Sequence, residues 1–491
     1  MRSLLCCMAM LSQMLAWSQA RNAHWFVGDG AHIEFVTGAP ALMHSPSGIM
    51  TQEGQGVISD PSGDFLCIAN HLHLFGALGG SMPNGNVPFT TDVNGDATQG
   101  SLFVPDPGNS ARYVVVYVHT KVDEYWPRAK WAVVDMSMDG GNGDVVLNSW
   151  QLFSDSLTEK LTGTPHANGT DYWVLMHEWD TDQFQAYLIS AAGLDTVPVS
   201  SHAGSPHVRF YILPNFNNNH QGQMKFNVEG DRIALTTQNA STPQPAPTIT
   251  QLFTFDDATG QVSYRMSFPE HYRSYGIEFS GDGSKLYVSG YDSIYHYVDQ
   301  YDLSLDDTLS IQNSRTRIYA YDHSAQVDHA WDRPQAMALA PDGRIYVTRA
   351  YEMNPWFAII DQPNEAGLAC NFLWNGLDVS PAKLLGSHCN QMKRYHDSPY
   401  TAEIHELAQR PLFSLSPNPV SGPCWIDGKG LRGALEVRWR DATGREVLCA
   451  HAVGNGFGAA LDATPLSNGI YTIQLLQRNA VIGTLRAVVQ R

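Results

Sequence analysis

One unit recurs along the middle of the chain and constrains the fold more than any other sequence feature. Each copy is an apolar strand, a turn rich in Asp, Pro, Asn and Gly, and a second strand that often carries Tyr or Val. Six copies are visible, at 57–66, 102–116, 161–175, 224–235, 277–288 and 337–347. Glycine in such turns supplies the positive φ angles that hairpins need. The repeat therefore predicts a series of β-hairpins.

The spacing of the turn glycines indicates the kind of repeat. These glycines are Gly63, Gly108, Gly169, Gly230, Gly283 and Gly343. They are separated by 45, 61, 61, 53 and 60 residues, a period in the range of propeller blades rather than of helical solenoids. We predict an all-β chain with a seven-bladed β-propeller, six or eight blades being the alternatives. A β-sandwich made of similar hairpins is the other interpretation.

The seventh blade has to come from the ends of the repeat region. We predict that the N-terminal stretch 25–35 shares one sheet with strands near residues 350–390, and we assign the late strand 368–374 as its partner. Closing the ring in this way removes exposed strand edges.

Charge excludes some partners. The 491 residues include 30 Lys and Arg against 48 Asp and Glu, a formal net charge of −18. Such a surface repels phosphate backbones and anionic membranes. We therefore expect no nucleic-acid partner.

The N-terminus has the features of a cleaved secretory signal peptide over 1–20. Arg2 precedes an apolar run over 4–17, and Ser18 and Ala20 suit a cleavage site. A buried N-terminal helix is the alternative. No other stretch approaches about 18 uninterrupted apolar residues, so we expect no transmembrane segment in the mature chain.

Five cysteines remain after the signal peptide. In an oxidising compartment Cys370 could pair with Cys389, and Cys424 with Cys449, which leaves Cys67 as a free thiol. Five reduced cysteines that pack as small apolar residues are the alternative.

Composition changes near residue 395. Residues 21–395 are assigned to the propeller, and the polar stretch 396–412 is expected to be a linker. The block 413–491 alternates apolar and polar residues in short strands, which predicts a small β-sandwich.

The last block carries four features in a fixed order. Its motif residues are Pro417, Asn418, Pro419, Asp441, Gly444, Gly469 and Tyr471, and a basic, valine-rich end follows at 486–491. In these features it resembles the type A sorting domain of the type IX secretion system of Bacteroidota. The resemblance implies transit through the periplasm, recognition by the secretion translocon and its processing or attachment machinery, and a final place at the cell surface or outside the cell. An immunoglobulin-like module of an adhesin is the alternative.

Residues 24–395 resemble an uncharacterised propeller-type domain of exported Bacteroidota proteins, often those labelled gliding-motility-associated. The resemblance rests on 25–35, 101–108, 275–303, 337–347 and 359–372. It ends at 385–389, where Leu-Gly-Ser-His-Cys replaces the Gly-Leu-Pro-Asn-Phe-like strand usual in that domain. The resemblance brings no activity that could be carried over to residues of this chain.

Motifs for known chemistry are missing from the sequence. No blade carries the sialidase-type turn, and there is no nucleophile elbow, paired-histidine zinc helix or phosphate loop. We predict no catalytic, cofactor-binding or metal-binding residues. Asp92, Asn94, Asp96 and Thr98 alternate as in a calcium loop, but Ala97 replaces the turn glycine and Phe103 replaces the bidentate Glu. A solvated loop is the preferred interpretation.

Two further clusters are candidate sites. His177, Glu178, Trp179 and Asp180 place an acid beside a base, yet alternate strand residues face opposite ways, so a catalytic role is disfavoured. The second cluster is the candidate for binding at the funnel mouth, with a packed loop as the alternative. Its members are Asp328, His329, Trp331, Asp332 and Arg333.

Two functions compete. We expect a non-enzymatic binding or scaffold module whose extracellular ligand is a glycan or a protein, because exposed aromatic residues on funnel loops suit such ligands. The alternative is a secreted hydrolase or lyase acting on polysaccharide or peptide. A pair of carboxylates in an open funnel favours the enzyme, and a plugged axis favours the binding module.

Overall fold

The chain divides into two compact units, Met1–Ser398 and Pro399–Arg491. The computed structural model describes residues 20–35, 40–44, 49–51, 53–87, 97–121, 124–208, 220–238, 249–268, 273–324, 332–350, 354–386, 388–396, 414–427, 432–441, 445–455, 458–477 and 480–490. The predicted signal peptide lies outside these ranges except for Ala20, and the predicted linker except for His396.

The described part of the first unit forms seven antiparallel sheets. Sheet 1 contains β1 (His24–Val27), β2 (Ala31–Glu34) and β3 (Ala41–His44). Sheet 2 contains β4 (Gly56–Ser59), β5 (Phe65–Ala69), β6 (His73–Phe75) and β7 (Ser81–Asn86). Sheet 3 contains β8 (Ser101–Pro105), β9 (Arg112–Lys121), β10 (Glu124–Asp135), β11 (Asp144–Val145) and β12 (Gln151–Ser154).

The remaining four sheets follow in chain order. Sheet 4 contains β13 (Leu157–Pro165), β14 (Tyr172–Glu178), β15 (Gln183–Ser190), β16 (Gly193–Leu194) and β17 (Val199–His202). Sheet 5 contains β18 (Met224–Phe226), β19 (Arg232–Thr236), β20 (Thr250–Asp256) and β21 (Gln261–Ser267). Sheet 6 contains β22 (Ser274–Phe279), β23 (Lys285–Tyr291), β24 (Tyr295–Asp302) and β25 (Thr316–Asp322), and sheet 7 contains β26 (Arg333–Leu339), β27 (Ile345–Ala350), β28 (Trp356–Ile360) and β29 (Phe372–Asp378).

Helices are few among the described residues. One α-helix, α1 (Thr308–Asn313), separates β24 from β25, and short 3-10 helices cover Ala20–Asn22, Asp139–Gly141 and Gly367–Cys370. None of the described helices has the length and hydropathy needed to cross a membrane. The prediction of an all-β chain is confirmed.

The six predicted hairpins are the first two strands of sheets 2 to 7. Five of the six turn glycines have positive φ, for example 93° at Gly63 and 81° at Gly343, whereas Gly108 does not. A side chain would be strained in that region of φ, which explains the recurring glycine. The first strands of successive sheets lie against each other. Sheets that follow one another in this way around a common centre form a propeller-type arrangement.

The assignment of 368–374 as the partner strand of the N-terminal stretch is wrong, although a residue within 350–390 does pair with it. Residues 368–374 do not join it, because they complete the 3-10 helix Gly367–Cys370 and begin β29, which pairs with β28 at the outer edge of sheet 7. Residues 25–35 form the hairpin β1–β2 of sheet 1. Their later neighbour is a segment further along the chain, and Asp29 pairs there with Lys383 as an isolated bridge.

We call residues 383–396 the axial segment. It runs antiparallel to β1, since Lys383 bonds Asp29, Cys389 Sγ donates to the carbonyl of Phe26, and Asn22 Nδ2 donates to the carbonyl of Met392. Gln391 donates to the carbonyl of Val57 in β4. The segment therefore lies where sheets 1 and 2 meet and fills the place of an inner strand for sheet 1.

Asn390 ties the axial segment to sheets further round the ring. Its side-chain nitrogen donates to the carbonyls of Ser101 at 3.0 Å and Leu161 at 2.9 Å, and its oxygen accepts from Gln99. Ser101 begins β8 and Leu161 lies in β13, so one amide joins sheets 3 and 4. Lys393 forms an ion pair with Glu278 of β22 on sheet 6. A segment can touch the first strands of so many sheets only at the axis.

The second unit has two sheets around one core. β30 (Ser414–Ser416), β31 (Pro423–Asp427) and β34 (Gly458–Asp462) form the first. β33 (Glu446–Asn455), β32 (Arg432–Arg440), β35 (Gly469–Gln477) and β36 (Ala480–Val489) form the second. Ile426, Trp439 and Ile473 are buried in the core that the two sheets share.

Neither candidate disulfide bond is present among the described residues, where all five cysteines are free, as in the alternative of five reduced cysteines. Cys370 packs in a cluster with Tyr287, while Cys389 packs beside Phe26 in another. Cys424 lies in β31 and is buried, and Cys449 lies in β33 of the other sheet and is exposed. Burial raises the pKa of Cys389 to about 12, so this thiol stays protonated and can donate to the carbonyl of Phe26.

The axial segment yields a prediction for stability. Asn390→Ala removes one donor from the buried carbonyl of Ser101 in β8 and one of the two donors from that of Leu161 in β13, which should lower the free energy of unfolding by about 1 to 3 kcal/mol. Asn313→Ala, at the exposed end of α1, is the control and should change it by less than about 0.5 kcal/mol. Urea denaturation followed by tryptophan fluorescence measures both. Equal stabilities for the two variants would contradict the role given to Asn390.

Candidate functional site

The predicted funnel-mouth cluster lies only partly within the described residues. Asp328, His329 and Trp331 fall outside them, whereas Asp332 and Arg333 lie at the start of β26. The Asp332 carboxylate accepts two hydrogen bonds from Arg349, so it is already engaged by a buried arginine. The Arg333 guanidinium instead lies over the ring of Tyr291, with Cζ 4.1 Å from the ring centroid.

The cluster at the end of β14 alternates as predicted. His177 and Trp179 are buried, while Glu178 is half-buried and Asp180 is exposed. The acid and the base therefore do not converge. His177 stacks on His207 at 3.7 Å between ring centroids, and neither ring nitrogen of His207 has a hydrogen-bond partner among the described residues. The pair is a buried aromatic contact made of titratable rings.

The calcium-like pattern is also only partly described. Asp92, Asn94 and Asp96 lie outside the described residues, whereas Thr98 is buried just before β8. No group of three or more His, Cys, Asp or Glu side chains within the described ranges is placed to hold a metal ion.

We call the end of the ring where the first strands begin the upper rim. A chain of hydrogen-bonded polar side chains, the rim chain, lies there, and sequence reasoning did not predict it. Thr98 donates to Glu159 Oε2 from both its backbone nitrogen and its hydroxyl, at 3.0 and 2.8 Å. His220 Nε2 lies 3.2 Å from the other oxygen of Glu159. The Tyr275 hydroxyl lies 3.3 Å from Thr98 Oγ1 and 3.4 Å from Glu53 Oε2. Two carboxylates are thus joined through two hydroxyls.

Lys160 follows Glu159 and is fully buried. Its Nζ donates to the carbonyls of His220 and Gln221, at 3.3 and 3.0 Å. Burial lowers the pKa of Lys160 to about 7, and the charge of Glu159 opposes that shift. A titratable amine next to a carboxylate at the rim is typical of functional sites, although structural networks perturb pKa values in the same way.

Deeper in the ring, charges of the axial segment meet charges of the first strands. Lys393 and Lys225 are both buried, and Glu278 pairs with Lys393. Burial lowers the pKa of Lys225 to about 8, against the favourable effect of Glu278. Glu278 also accepts from the backbone nitrogen of Leu339 in β26. The axis is therefore filled by a bonded polar network.

Strand β13 shows why sequence reasoning missed this network. All nine residues of its Leu-Thr-Glu-Lys-Leu-Thr-Gly-Thr-Pro run are buried, although five of them are polar or charged. Alternation of apolar and polar residues usually indicates one wet face. Here polar side chains on both faces are buried, and hydrogen bonds to other segments replace water, such as those of Glu159 with Thr98 and of Lys160 with the carbonyl of Gln221. Charged residues inside the first strands of several repeats, such as Glu159 in β13, Lys225 in β18 and Glu278 in β22, are the signal that could have revealed it.

The predicted sorting motif lies in the second unit, except that Gly444 is outside the described residues. Pro417, Asn418 and Pro419 follow β30 and precede an isolated parallel bridge between Val420 and Val489. Asn418 Oδ1 accepts from the backbone nitrogen of Val488 at 2.9 Å. The start of the motif therefore contacts the end of β36.

The other motif residues occupy turns of the same unit. Asp441 closes the β32–β33 turn, because its carboxylate accepts from the backbone nitrogen of Arg445. Gly469 begins β35, and a side chain there would meet the ring of Tyr471 at 3.3 Å. The Tyr471 hydroxyl donates to the carbonyl of Ser467, which fixes the turn before β35.

Comparison with protein-family models and with curated proteins finds no match. Among solved structures, a Bacteroides fragilis protein assigned provisionally as a 6-phosphogluconolactonase is 13% identical, with 75% of this chain and 97% of that chain covered and a TM-score of 0.41. A periplasmic gluconolactonase of Pseudomonas aeruginosa is 11% identical, with 83% and 98% covered and a TM-score of 0.36. The Dos1 propeller is 12% identical, with 67% and 74% covered and a TM-score of 0.34. Similarity at these TM-scores assigns no activity to this chain.

The stacked histidines predict acid sensitivity. Burial, then the charge of Lys160, lowers the pKa of His177 to about 3; burial, then His177 and Lys160, lowers the pKa of His207 well below its usual 6.5. The unfolded chain therefore binds more protons. The stability that these neutral rings contribute is complete above pH 6.5 and is lost as the pH falls below it, by about 1.4 kcal/mol per pH unit for each ring.

His207→Phe keeps the stacked ring but cannot titrate. We expect its unfolding free energy to depend less steeply on pH between 6 and 5, by about 1.4 kcal/mol per unit. His202→Phe changes an exposed histidine and is the matched control. Urea denaturation at several pH values measures the slopes. Parallel pH profiles for His207→Phe and the unmodified protein would rule out this source of acid sensitivity.

Proposed function

We propose that the protein is an exported, non-enzymatic β-propeller that acts as a binding or scaffold module at the cell surface or outside the cell. Its second unit is the type A sorting domain that delivers it through the type IX secretion system. In this proposal the seven sheets are seven blades of one ring, with the axial segment as the inner strand of the first, and the second unit is a β-sandwich.

The filled axis is the observation that carries the binding role. Propeller enzymes with funnel sites need an open channel where substrate reaches converging side chains. Here Asn390 and Lys393 occupy that place and are themselves bonded to first strands. A ligand is then left with the rim loops and the outer surfaces of the sheets, which suits binding rather than turnover.

The contact between Asn418 and Val488 supports the assignment of the sorting domain. The first motif and the C-terminal end are separated by some 70 residues, yet a hydrogen bond and the Val420–Val489 bridge hold them together. A translocon component could then read both as one surface of a folded unit. This surface would be lost if either end were removed.

A second function has one observation in its favour. The rim chain links Glu53 to Glu159 through Tyr275 and Thr98, and paired carboxylates are the machinery of glycoside hydrolysis. A hydrolase or lyase acting on polysaccharide or peptide would use Glu159 as its acid or base.

One variant, Glu159→Gln, distinguishes a hydrolase from a binding module. If the protein is a hydrolase, Glu159→Gln should lower the release of reducing ends or peptides by at least about 100-fold, because a general acid or base contributes that much. Glu365→Gln, at an exposed site, is the control and should leave the rate unchanged. A binding module releases no product in either form. Turnover that Glu159→Gln abolishes would overturn the non-enzymatic proposal.

Export should depend on the second unit. Deletion of residues 413–491 should leave the first unit in the periplasm, because the sorting motifs lie wholly in the deleted part. Immunoblots of periplasm, cell surface and medium measure its location, and resistance to protease checks that the retained unit is folded. Delivery of the truncated chain to the surface or medium in normal amounts would refute the sorting assignment.

A further inference from the structure

Residues 203–208, which we call the crossover segment, leave the outer strand β17 of sheet 4 at the upper rim and lead toward sheet 5. Backbone hydrogen bonds hold the end of this segment to the turn between β14 and β15. The His207 nitrogen donates to the carbonyl of Thr181, and the His207 carbonyl accepts from the nitrogen of Asp180, both at 3.0 Å. These two bonds lie outside the pairing of the strands. They can therefore open while sheet 4 stays intact, as loops of folded proteins commonly do.

The start of the crossover segment has anchors of its own. Ala203 donates to the carbonyl of Asp182 at 3.0 Å. Ser205 donates from its backbone to Gln251 Oε1 at 3.1 Å, and its hydroxyl accepts from Gln251 Nε2 at 3.0 Å. The backbone, hydroxyl and amide groups in these bonds do not titrate between about pH 5 and 8. An opening that depends on acid is therefore confined to the His207 end.

The His207 side chain is fully buried and stacks on His177 of β14. The ring centroids are 3.7 Å apart, and the ring planes differ by 14°. Neither ring nitrogen of His207 has a hydrogen-bond partner within the ranges that the structure describes. A neutral imidazole can remain in such a place, but an imidazolium carries two N–H donors and a full charge. The ring can therefore take up a proton only by leaving its place.

The charged groups around the stacked rings favour their neutral forms. Burial lowers the pKa of both rings, the charge of Lys160 adds to this effect, and Asp182 opposes it at His177. Glu159 balances the charge of Lys160, so a proton on His207 would be a further positive charge in a buried place. The titratable groups on the surrounding elements are Glu159 and Lys160 of β13, Glu178 of β14, Asp180 and Asp182 of the turn, His202 of β17, and His220.

The chain returns to sheet 4 at His220, where acid has the opposite effect. The His220 carbonyl accepts from the backbone nitrogen of Glu159 at 3.0 Å, and His220 Nε2 lies 3.2 Å from Glu159 Oε1. A proton on His220 turns this contact into a charge-assisted pair. The acid that weakens the contact at His207 therefore strengthens the contact at His220.

We propose that the crossover segment is an acid-operated latch, which the neutral ring of His207 holds closed against His177 and which opens when His207 is protonated. Opening carries His207 into water and uncovers His177 at the upper rim, while the strands of the seven sheets stay paired. The latch changes the shape of the rim and does not depend on the identity of any ligand.

The direction of the response follows from the two states of His207. In the open segment the ring has its ordinary pKa of 6.5, whereas in the closed segment burial, then His177 and Lys160, hold its pKa well below that value. The open segment therefore binds more protons. The closed state keeps its full stability above pH 6.5, and its equilibrium over the open state falls by about tenfold for each pH unit below.

Hydrogen–deuterium exchange of the full chain at about pH 7.5 and 5.5 tests the latch. Protection is expressed relative to the exchange rate of an unstructured peptide at each pH. At the lower pH, protection of the Asp180 and His207 amides should fall by about tenfold, because one ring is protonated on opening. The Glu159 amide, which bonds to His220, should change by less than about twofold. A general loss of stability would instead release the Glu159 amide as well.

Matched variants separate the latch from other sources of acid sensitivity. His207→Phe keeps an aromatic ring against His177 but takes up no proton, so the Asp180 amide should be equally protected at both pH values. His202→Phe alters the exposed histidine at the end of β17 and should keep the tenfold response of the unmodified protein. If His207→Phe does not fold, the contrast between the Asp180 and Glu159 amides in the unmodified protein decides the question.

Three results would overturn the inference. These are unchanged protection of the Asp180 amide in acid, equal losses at Asp180 and Glu159, and the same acid response in His207→Phe as in the unmodified protein. None of them touches the proposed function, which is judged by the export of the truncated chain and by the absence of turnover.

Discussion

The first unit depends on hydrogen bonds between its own last residues and the first strands of its sheets. Buried carbonyls at the centre of a ring cannot reach water, and an unpaired one costs about 1 to 3 kcal/mol. Asn390 satisfies two of them, in β8 and β13. Side-chain amides that precede other first strands act alike: Gln99 bonds to β13 and β18, and Gln223 bonds to β22 and β26. The sheets are joined at their centre by amides as much as by apolar packing.

This arrangement explains how the polar residues of the axis remain compatible with a folded core. An isolated buried charge is strongly unfavourable, and it becomes tolerable only with partners in good geometry. Glu278 has Lys393 and the backbone of Leu339, and Glu159 has Thr98 and His220. The Glu278–Leu339 contact joins sheets 6 and 7, Lys393 ties sheet 6 to the axial segment, and Thr98 and His220 tie sheet 4 to the segments that precede β8 and β18. The charges therefore fix which sheets are neighbours, in a fold whose blades resemble one another.

Sequence reasoning succeeded where local chemistry decides the structure and failed where distant segments meet. The hairpins follow from turn glycines such as Gly63 and Gly343, whose positive φ is a local requirement. The alternation of His177 with Glu178 likewise follows from strand geometry. In contrast, 368–374 resembles a closing strand in sequence, and only the fold shows that its strand residues pair with β28 instead of with β1 or β2. The rim chain joins residues more than 200 positions apart, from Glu53 to Tyr275, and no spacing rule could pair them.

The position of the axial segment in the chain also governs when the ring can form. Asn22 and Met392 are 370 residues apart, and Phe26 and Cys389 are 363 apart. β1 therefore cannot contact the axial segment until nearly the whole unit has been synthesised. Contacts of such long sequence separation slow folding, because the entropy of closing the loop is lost before the contact is gained. Sheets 2 to 7 are hairpin meanders that can form in order as the chain emerges. The ring itself is completed last, so a chain threaded through a membrane from its N-terminus reaches the far side while it is still open.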